Sequence, residues 1–142
     1  MPSEDTHSPF ELAIEVVPGD IDRMGHVNNM VYLKWVQAAA VAHWNQAASE
    51  QEQRSLLWVI KRHEIDYIRP AYAGDGVIAR TWVGKASRRS FERHTEIRRH
   101  SDGKLLAKAL TFWCPVDAHS KLPIDVGAEI YSRFSTEFHL GD

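Results

Sequence analysis

The residues best suited to chemistry in this sequence stand close together. Asp20, Asp22, His26, Asn28 and Asn29 fall within ten positions, with Gly25 among them, and a long apolar run begins at Met30. A carboxylate at Asp22 can serve as a general base or as a nucleophile. Asn is a good helix N-cap, and residues 30–48 hold no Gly, no Pro and many Ala, so a helix is predicted to start there. A helix start offers free backbone N–H groups and a partial positive charge. Those features can hold a developing oxyanion while the carboxylate acts from a few residues away. The same residues also suit a structural end, with Asp22 and Asn28 capping the helix and Gly25 turning the chain. Residue types alone leave both readings open.

Other chemical patterns fail on context. Gly74-Asp75-Gly76-Val77-Ile78-Ala79 fits G-x-G-x-x-A, but a strand follows it where a dinucleotide site needs a helix, so it reads as a turn. Residues 20–25 resemble the start of a calcium loop, yet Met24 and Val31 stand where oxygen ligands belong. There is no P-loop and no G-x-S-x-G. The eight histidines show no ligand spacing, so no metal is expected. Cys114 lies in an apolar strand and reads as a small core residue.

The elements that must position the cluster follow from periodicity. Residues 10–17 alternate Phe10, Leu12, Ile14 and Val16 with polar neighbours, a strand pattern that Pro18-Gly19 ends. The helix over 30–48 is apolar nearly all round and must be covered on several sides. Residues 49–55 read as a polar connection. Strands are expected over 57–68, with a bulge near Arg62-His63, and over 76–83, 90–99 and 105–116, the last ending near Pro115. Asp102-Gly103 marks a hairpin, and residues 127–134 a short helix. Arg98-Arg99-His100 reads as a solvated strand end. The five tryptophans are expected mostly in the core, with one or two free to line an acyl pocket that the sequence does not single out. The sum is an α+β domain: a curved antiparallel sheet of about five strands wrapped around one central helix. Open strand edges predict self-association.

Composition narrows the function classes. A chain of 142 residues, 44% hydrophobic and 25% charged, is one globular domain. Residues 1–142 are thus a single domain, with 1–9 as a polar tail. A net charge of 17 − 19 = −2 argues against nucleic acid as the main partner. A single cysteine points to a reducing compartment. The N-terminus lacks a signal-peptide pattern, and no apolar run is long enough for a membrane helix. A cytoplasmic location without membrane attachment is expected.

The stretch from Asp20 to Trp35 resembles the signature of hot-dog-fold acyl-CoA thioesterases of the 4-hydroxybenzoyl-CoA thioesterase type. In that family a strand leads to D-x-D-x-x-G-[HI]-V and then to a central helix with an aromatic in its first turn. Glu64-Ile65-Asp66-Tyr67-Ile68-Arg69-Pro70-Ala71 with Gly74-Asp75 is similar to the family's second-strand motif. Arg88-Arg89-Ser90-Phe91 and Asp102-Gly103-Lys104 fall where it has its next hairpin. The likeness runs over roughly residues 10–134. It implies a hot-dog fold and hydrolysis of acyl-CoA thioesters. Asp22 would be the catalytic carboxylate, and the N–H near Asn29 would polarise the thioester carbonyl. The family varies at His26 and Asn29; His26 would contact substrate or orient Asp22, or serve structure alone. Arg88, Arg89 and Ser90 would meet the coenzyme A phosphates, although by residue type they also suit a solvated turn. No cofactor is implied beyond the CoA of the substrate, and the partner is a second copy in a homodimer or a dimer-based homotetramer. Two other readings are a hot-dog hydroxyacyl-thioester dehydratase and a non-catalytic acyl-thioester binding module. The absence of Asp and Glu between Met30 and Ser49 counts against the first, and Asp22 against the second.

Overall fold

The computed structural model describes residues 9–138. The tail expected over residues 1–9 lies outside them except for Pro9.

Alternating side chains build the sheet. In β1 (Phe10–Glu15) the half-buried Phe10, Leu12 and Ile14 alternate with exposed Glu11, Ala13 and Glu15. β2 (Leu56–Tyr67), β3 (Gly76–Ala86), β4 (Phe91–Arg99) and β5 (Leu105–Asp117) complete an antiparallel sheet in the order β1-β3-β4-β5-β2. The expected bulge in β2 is present, as a register shift between Ile60 and Arg62. The Asp102-Gly103 hairpin also forms, with Gly103 at φ +71°. β2 pairs only with β5 among the described strands, so all twelve of its residues present an open outer edge. The opposite edge is different. β1 pairs with β3 as far as Thr81, and a short strand β6 (Ser135–Phe138) continues along the same edge from Val83, parallel to β3.

α1 (Asn29–Ala47) lies on the inner face of the sheet against β1, β3 and β4. It buries Val31, Tyr32, Trp35, Val36, Ala39, Ala40 and His43. The first five of these meet Val77, Ala79, Ile97, Leu106, Ala107 and Ala109 to form the main core. The sheet covers one face of the helix, and Met30 and Val41 stay 72% and 51% exposed. The several-sided cover expected of so apolar a helix is therefore not supplied by the described residues of one chain. No helix among the described residues is long and apolar enough to cross a membrane.

One local expectation is corrected. Residues 49–55 are not a plain connection: α2 (Glu50–Ser55) forms there. A capping box starts it, Ser49 Oγ accepting from the Glu52 N–H at 3.1 Å and Glu52 Oε1 from the Ser49 N–H at 2.9 Å. β5 runs through Pro115 to Asp117, one residue past the expected end at 116. Its β4 partner ends opposite Trp113, so the N–H that Pro115 lacks interrupts no β4–β5 bond. α3 (Ala128–Phe134) follows Gly127 near the expected limits.

Candidate active site

The loop between β1 and α1 folds into a tight hairpin that presents Asp22. Asp20 Oδ2 accepts from the Val17 N–H at 3.0 Å, and its carbonyl accepts from the Asn28 N–H at 2.8 Å. Ile21 bridges Val27, the Asp22 N–H donates to the His26 carbonyl at 2.8 Å, and Gly25 turns the chain at φ +79°. A side chain is strained at that φ, which is why glycine stands there. The Asp22 carboxylate is half-buried. Its Oδ1 accepts from the Met24 N–H at 2.9 Å, and Oδ2 has no partner among the described residues.

The start of α1 is capped so that one donor is left over. Asn28 Oδ1 accepts from the Met30 N–H and the Asn28 carbonyl from the Val31 N–H, both at 2.9 Å. The Asn29 N–H has no acceptor among the described residues. It stays a donor at the positive end of a nineteen-residue helix.

Tyr67 and Tyr32 frame this donor. The Tyr67 hydroxyl donates to the Asn29 carbonyl at 3.0 Å. The Tyr32 hydroxyl accepts from the Ala71 N–H at 3.0 Å, and the two rings meet edge to face at 5.3 Å. Burial pushes both phenols above their ordinary range, so they are neutral at physiological pH. His26 packs its ring edge-on against Tyr72, with centroids 5.3 Å apart. No hydrogen bond joins the His26 ring to Asp22 among the described residues.

Asp22, His26 and Asn29 thus line one open cleft of about 230 Å³, with Tyr67, Arg69 and Pro70 on its other side. The sequence alone does not single out Tyr67 and Arg69 as site residues, although the second-strand motif that contains them is visible in it. Arg99, read from the sequence as part of a solvated strand end, is 16% exposed and fixes the cleft wall. Its guanidinium donates to the Pro70 carbonyl at 2.9 Å, to Asp75 at 3.3 Å and to Asp102 at 2.9 Å.

Arg88, Arg89 and Ser90 lie elsewhere. They form the β3–β4 turn, closed by the Ser87 N–H on the Ser90 carbonyl at 2.8 Å, and Arg88 Nε is 3.6 Å from Asp125 Oδ2. The Asp22 hairpin packs at the other end of β3: His26 bridges Tyr72, and the Val16 N–H donates to the Asp75 carbonyl. The eleven residues of β3 separate the two ends by about 33 Å at ~3.3 Å per residue. One chain therefore does not bring the arginines to the Asp22 cleft. Among the described residues, no three His, Cys, Asp or Glu side chains converge to hold a metal ion.

Residues 16–134 match the family model of the Thioesterase-like superfamily. A chloroplast acyl-[acyl-carrier-protein] hydrolase of Cuphea viscosissima is 29% identical over 89 residues, which are 60% of this chain and 22% of that protein. The chain thus spans about a fifth of the length of the curated relatives it matches. Among solved structures, a thioesterase from Thermus thermophilus, complexed with coenzyme A and Zn, superposes with TM-score 0.78 at 26% identity, covering 90% of this chain and 93% of that one. A 1,4-dihydroxy-2-naphthoyl-CoA thioesterase from Synechocystis superposes with TM-score 0.76 at 20% identity, covering 88% and 94%. The architecture is that of the hot-dog fold.

Proposed function

The chain belongs to the Thioesterase-like superfamily, and from that membership we propose that it hydrolyses acyl-CoA thioesters to the free acid and CoA. One observation carries the residue assignment: Asp22 and the unpaired Asn29 N–H line the same cleft at the start of α1. The thioester carbonyl oxygen accepts from the Asn29 N–H, which holds the oxyanion as it forms. Asp22 either takes a proton from water, whose oxygen then bonds to the carbonyl carbon, or bonds to that carbon itself. In both routes the C–S bond breaks and the thiolate leaves; direct bonding leaves an Asp22 anhydride, which a water then hydrolyses to the free acid and the free Asp22 carboxylate. Tyr67 fixes the peptide that follows the Asn29 N–H. His26 contributes a polar wall to the cleft.

Arg88, Arg89 and Ser90 bind the CoA phosphates across a subunit boundary in this reading. Their distance from Asp22 within one chain favours a site assembled from two copies. The open edge of β2 and the uncovered face of α1 offer surfaces for a homodimer, or a tetramer built from dimers. A buried, unpaired Cys114 accords with a cytoplasmic location. Turnover on a panel of acyl-CoA and acyl-carrier-protein thioesters tests the proposal. Release of free thiol from one of them is expected, and a panel with no turnover above buffer overturns it. Label in Asp22 after single-turnover hydrolysis in ¹⁸O-labelled water identifies direct attack, because only an Asp22 anhydride can take a water oxygen into that carboxylate.

A further inference from the structure

A second pocket lies away from the Asp22 cleft, between the later turns of α1 and the sheet. Its walls include Val41, Trp44, Trp58, Phe91 and Trp113, and its polar member is Arg93. Val41 stands twelve residues along α1 from Asn29, about 18 Å at ~1.5 Å per residue. The pocket is half-open with a volume of about 50 Å³, where one water needs roughly 10–15 Å³ by the same measure. A carboxylate on Arg93 with an apolar body between the aromatic walls fits here, and any longer chain would leave by the mouth beside the exposed Val41.

Arg93 is 6% exposed, and no carboxylate faces it among the described residues. Its Nη1 donates to His43 Nδ1 at 2.9 Å and to Thr81 Oγ1 at 3.2 Å. Burial, reinforced by the guanidinium beside it, pushes His43 down to about 3, so the imidazole is neutral and offers no negative charge. Burial also lowers Arg93 to about 10, which leaves it a cation at neutral pH. A buried cation without a counter-ion is costly. Nε and Nη2 donate to no group among the described residues. Trp58 and Trp113, which line this pocket, also bury their indole N–H groups without an acceptor among the described residues. A wall of aromatic rings with a cation whose Nε and Nη2 are unpaired complements an acceptor that is anionic, planar and attached to an apolar body.

We propose that this pocket binds an organic carboxylate, its oxygens on the Nε and Nη2 fork of Arg93 and its apolar body against Trp44, Trp58, Phe91 and Trp113. The carboxylate is either that of a free acid or the far end of an acyl chain that carries a second carboxyl group. Binding of a free acid requires nothing of the Asp22 cleft, so failure there and failure here are separable.

Tryptophan fluorescence reports on the pocket directly, with benzoate as the probe and benzamide as its neutral isostere. Benzoate is expected to give a saturable change in the native protein and benzamide to bind about tenfold more weakly or worse, the scale of a lost charge-assisted pair. Arg93→Met keeps the length and apolar stem; it is expected to lose the benzoate preference while residual ring binding persists. Equal affinity for the two probes, no saturable change, or undiminished benzoate preference in a folded Arg93→Met overturns the proposal. If circular dichroism finds Arg93→Met unfolded, the native comparison still decides, and Arg93→Lys, which keeps charge without the fork, is expected to bind benzoate at intermediate strength. Competition by benzoate against hydrolysis of an ω-carboxyacyl-CoA assigns the carboxylate to the acyl end; saturable binding without competition assigns it to a free acid.

Discussion

Replacing Asp22 by Asn separates chemistry from architecture at the proposed active site. The carboxylate makes one bond to its own loop, from the Met24 N–H to Oδ1 at 2.9 Å. An Asn carbonyl can accept the same bond, so the hairpin over residues 22–26 keeps its shape. Stability should change by no more than about 0.5 kcal/mol, as for a benign surface substitution. What disappears is the basicity. Loss of a general base typically costs about 10²–10⁴ in rate, or about 2.7–5.5 kcal/mol of barrier. At saturating acyl-CoA, with released thiol followed by a chromogenic reagent, kcat should fall about 10²-fold or more and KM should stay near its starting value. Asp22→Ala is the companion. It leaves the Met24 N–H unpaired as well, at a further cost of about 0.5–1.5 kcal/mol in folding stability, seen as a Tm lower by several degrees. Asp22→Asn with turnover within a few-fold of the native chain would refute the assignment. So would activity that tracks Tm across both variants.

Arg88→Ala combined with Arg89→Ala should raise KM for acyl-CoA several-fold with kcat nearly unchanged, and should spare a truncated thioester without the nucleotide; equal loss on both substrates would place the pair in folding or chemistry. Because Arg88 and its partner Asp125 are 58% and 42% exposed, the double variant should melt close to the native temperature. Arg133 holds Glu52 through paired hydrogen bonds at 2.7 and 2.9 Å and thereby lowers the carboxyl below its ordinary value. A carboxyl depressed in the folded state stabilises above its unfolded pKa and loses that contribution as pH falls through the folded value. Glu52→Gln should therefore lower Tm at pH 7, with the two melting curves converging in strong acid; a constant gap would show that the charge is irrelevant. Sedimentation at micromolar concentration should report a dimer or tetramer, and a ~16 kDa monomer alone would remove the two-copy site.

Much of this architecture is readable because its signals are local. The period-two runs of β1 and β4, the Asp102-Gly103 hairpin and the uninterrupted residues of α1 each specify their own conformation. The approach of Asp22, His26 and Asn29 is readable for the same reason, since they lie on one loop and the first turn of one helix. What escapes depends on distant partners. Tyr67 reaches Asn29 across 38 positions, and Arg99 finds Pro70 and Asp75 across 29 and 24. Neither pairing leaves a trace in spacing. β6 escapes because four residues carry no usable period and its partner lies on β3, while α2 has its capping box in plain view but no apolar stripe. The separation of Arg88 from Asp22 follows from strand order, which local pattern does not determine.

The two sides of the sheet have unequal consequences for growth. A sheet open at both edges can add copies without limit, which is the route to fibres. Here the long, open β2 can pair with β2 of another copy about a two-fold axis, an arrangement that uses up the edge it depends on. The far side discourages further addition. Along β1, an antiparallel copy centred on Ala13 would set Glu11 against Glu15 and Glu15 against Glu11, like charges opposite one another. Past β1 the same rim of β3 is taken by β6. An assembly built through β2 would thus be self-terminating. A lysine or valine in place of Glu11 and Glu15 would affect whether dimers stay separate long before it affected whether the chain folds.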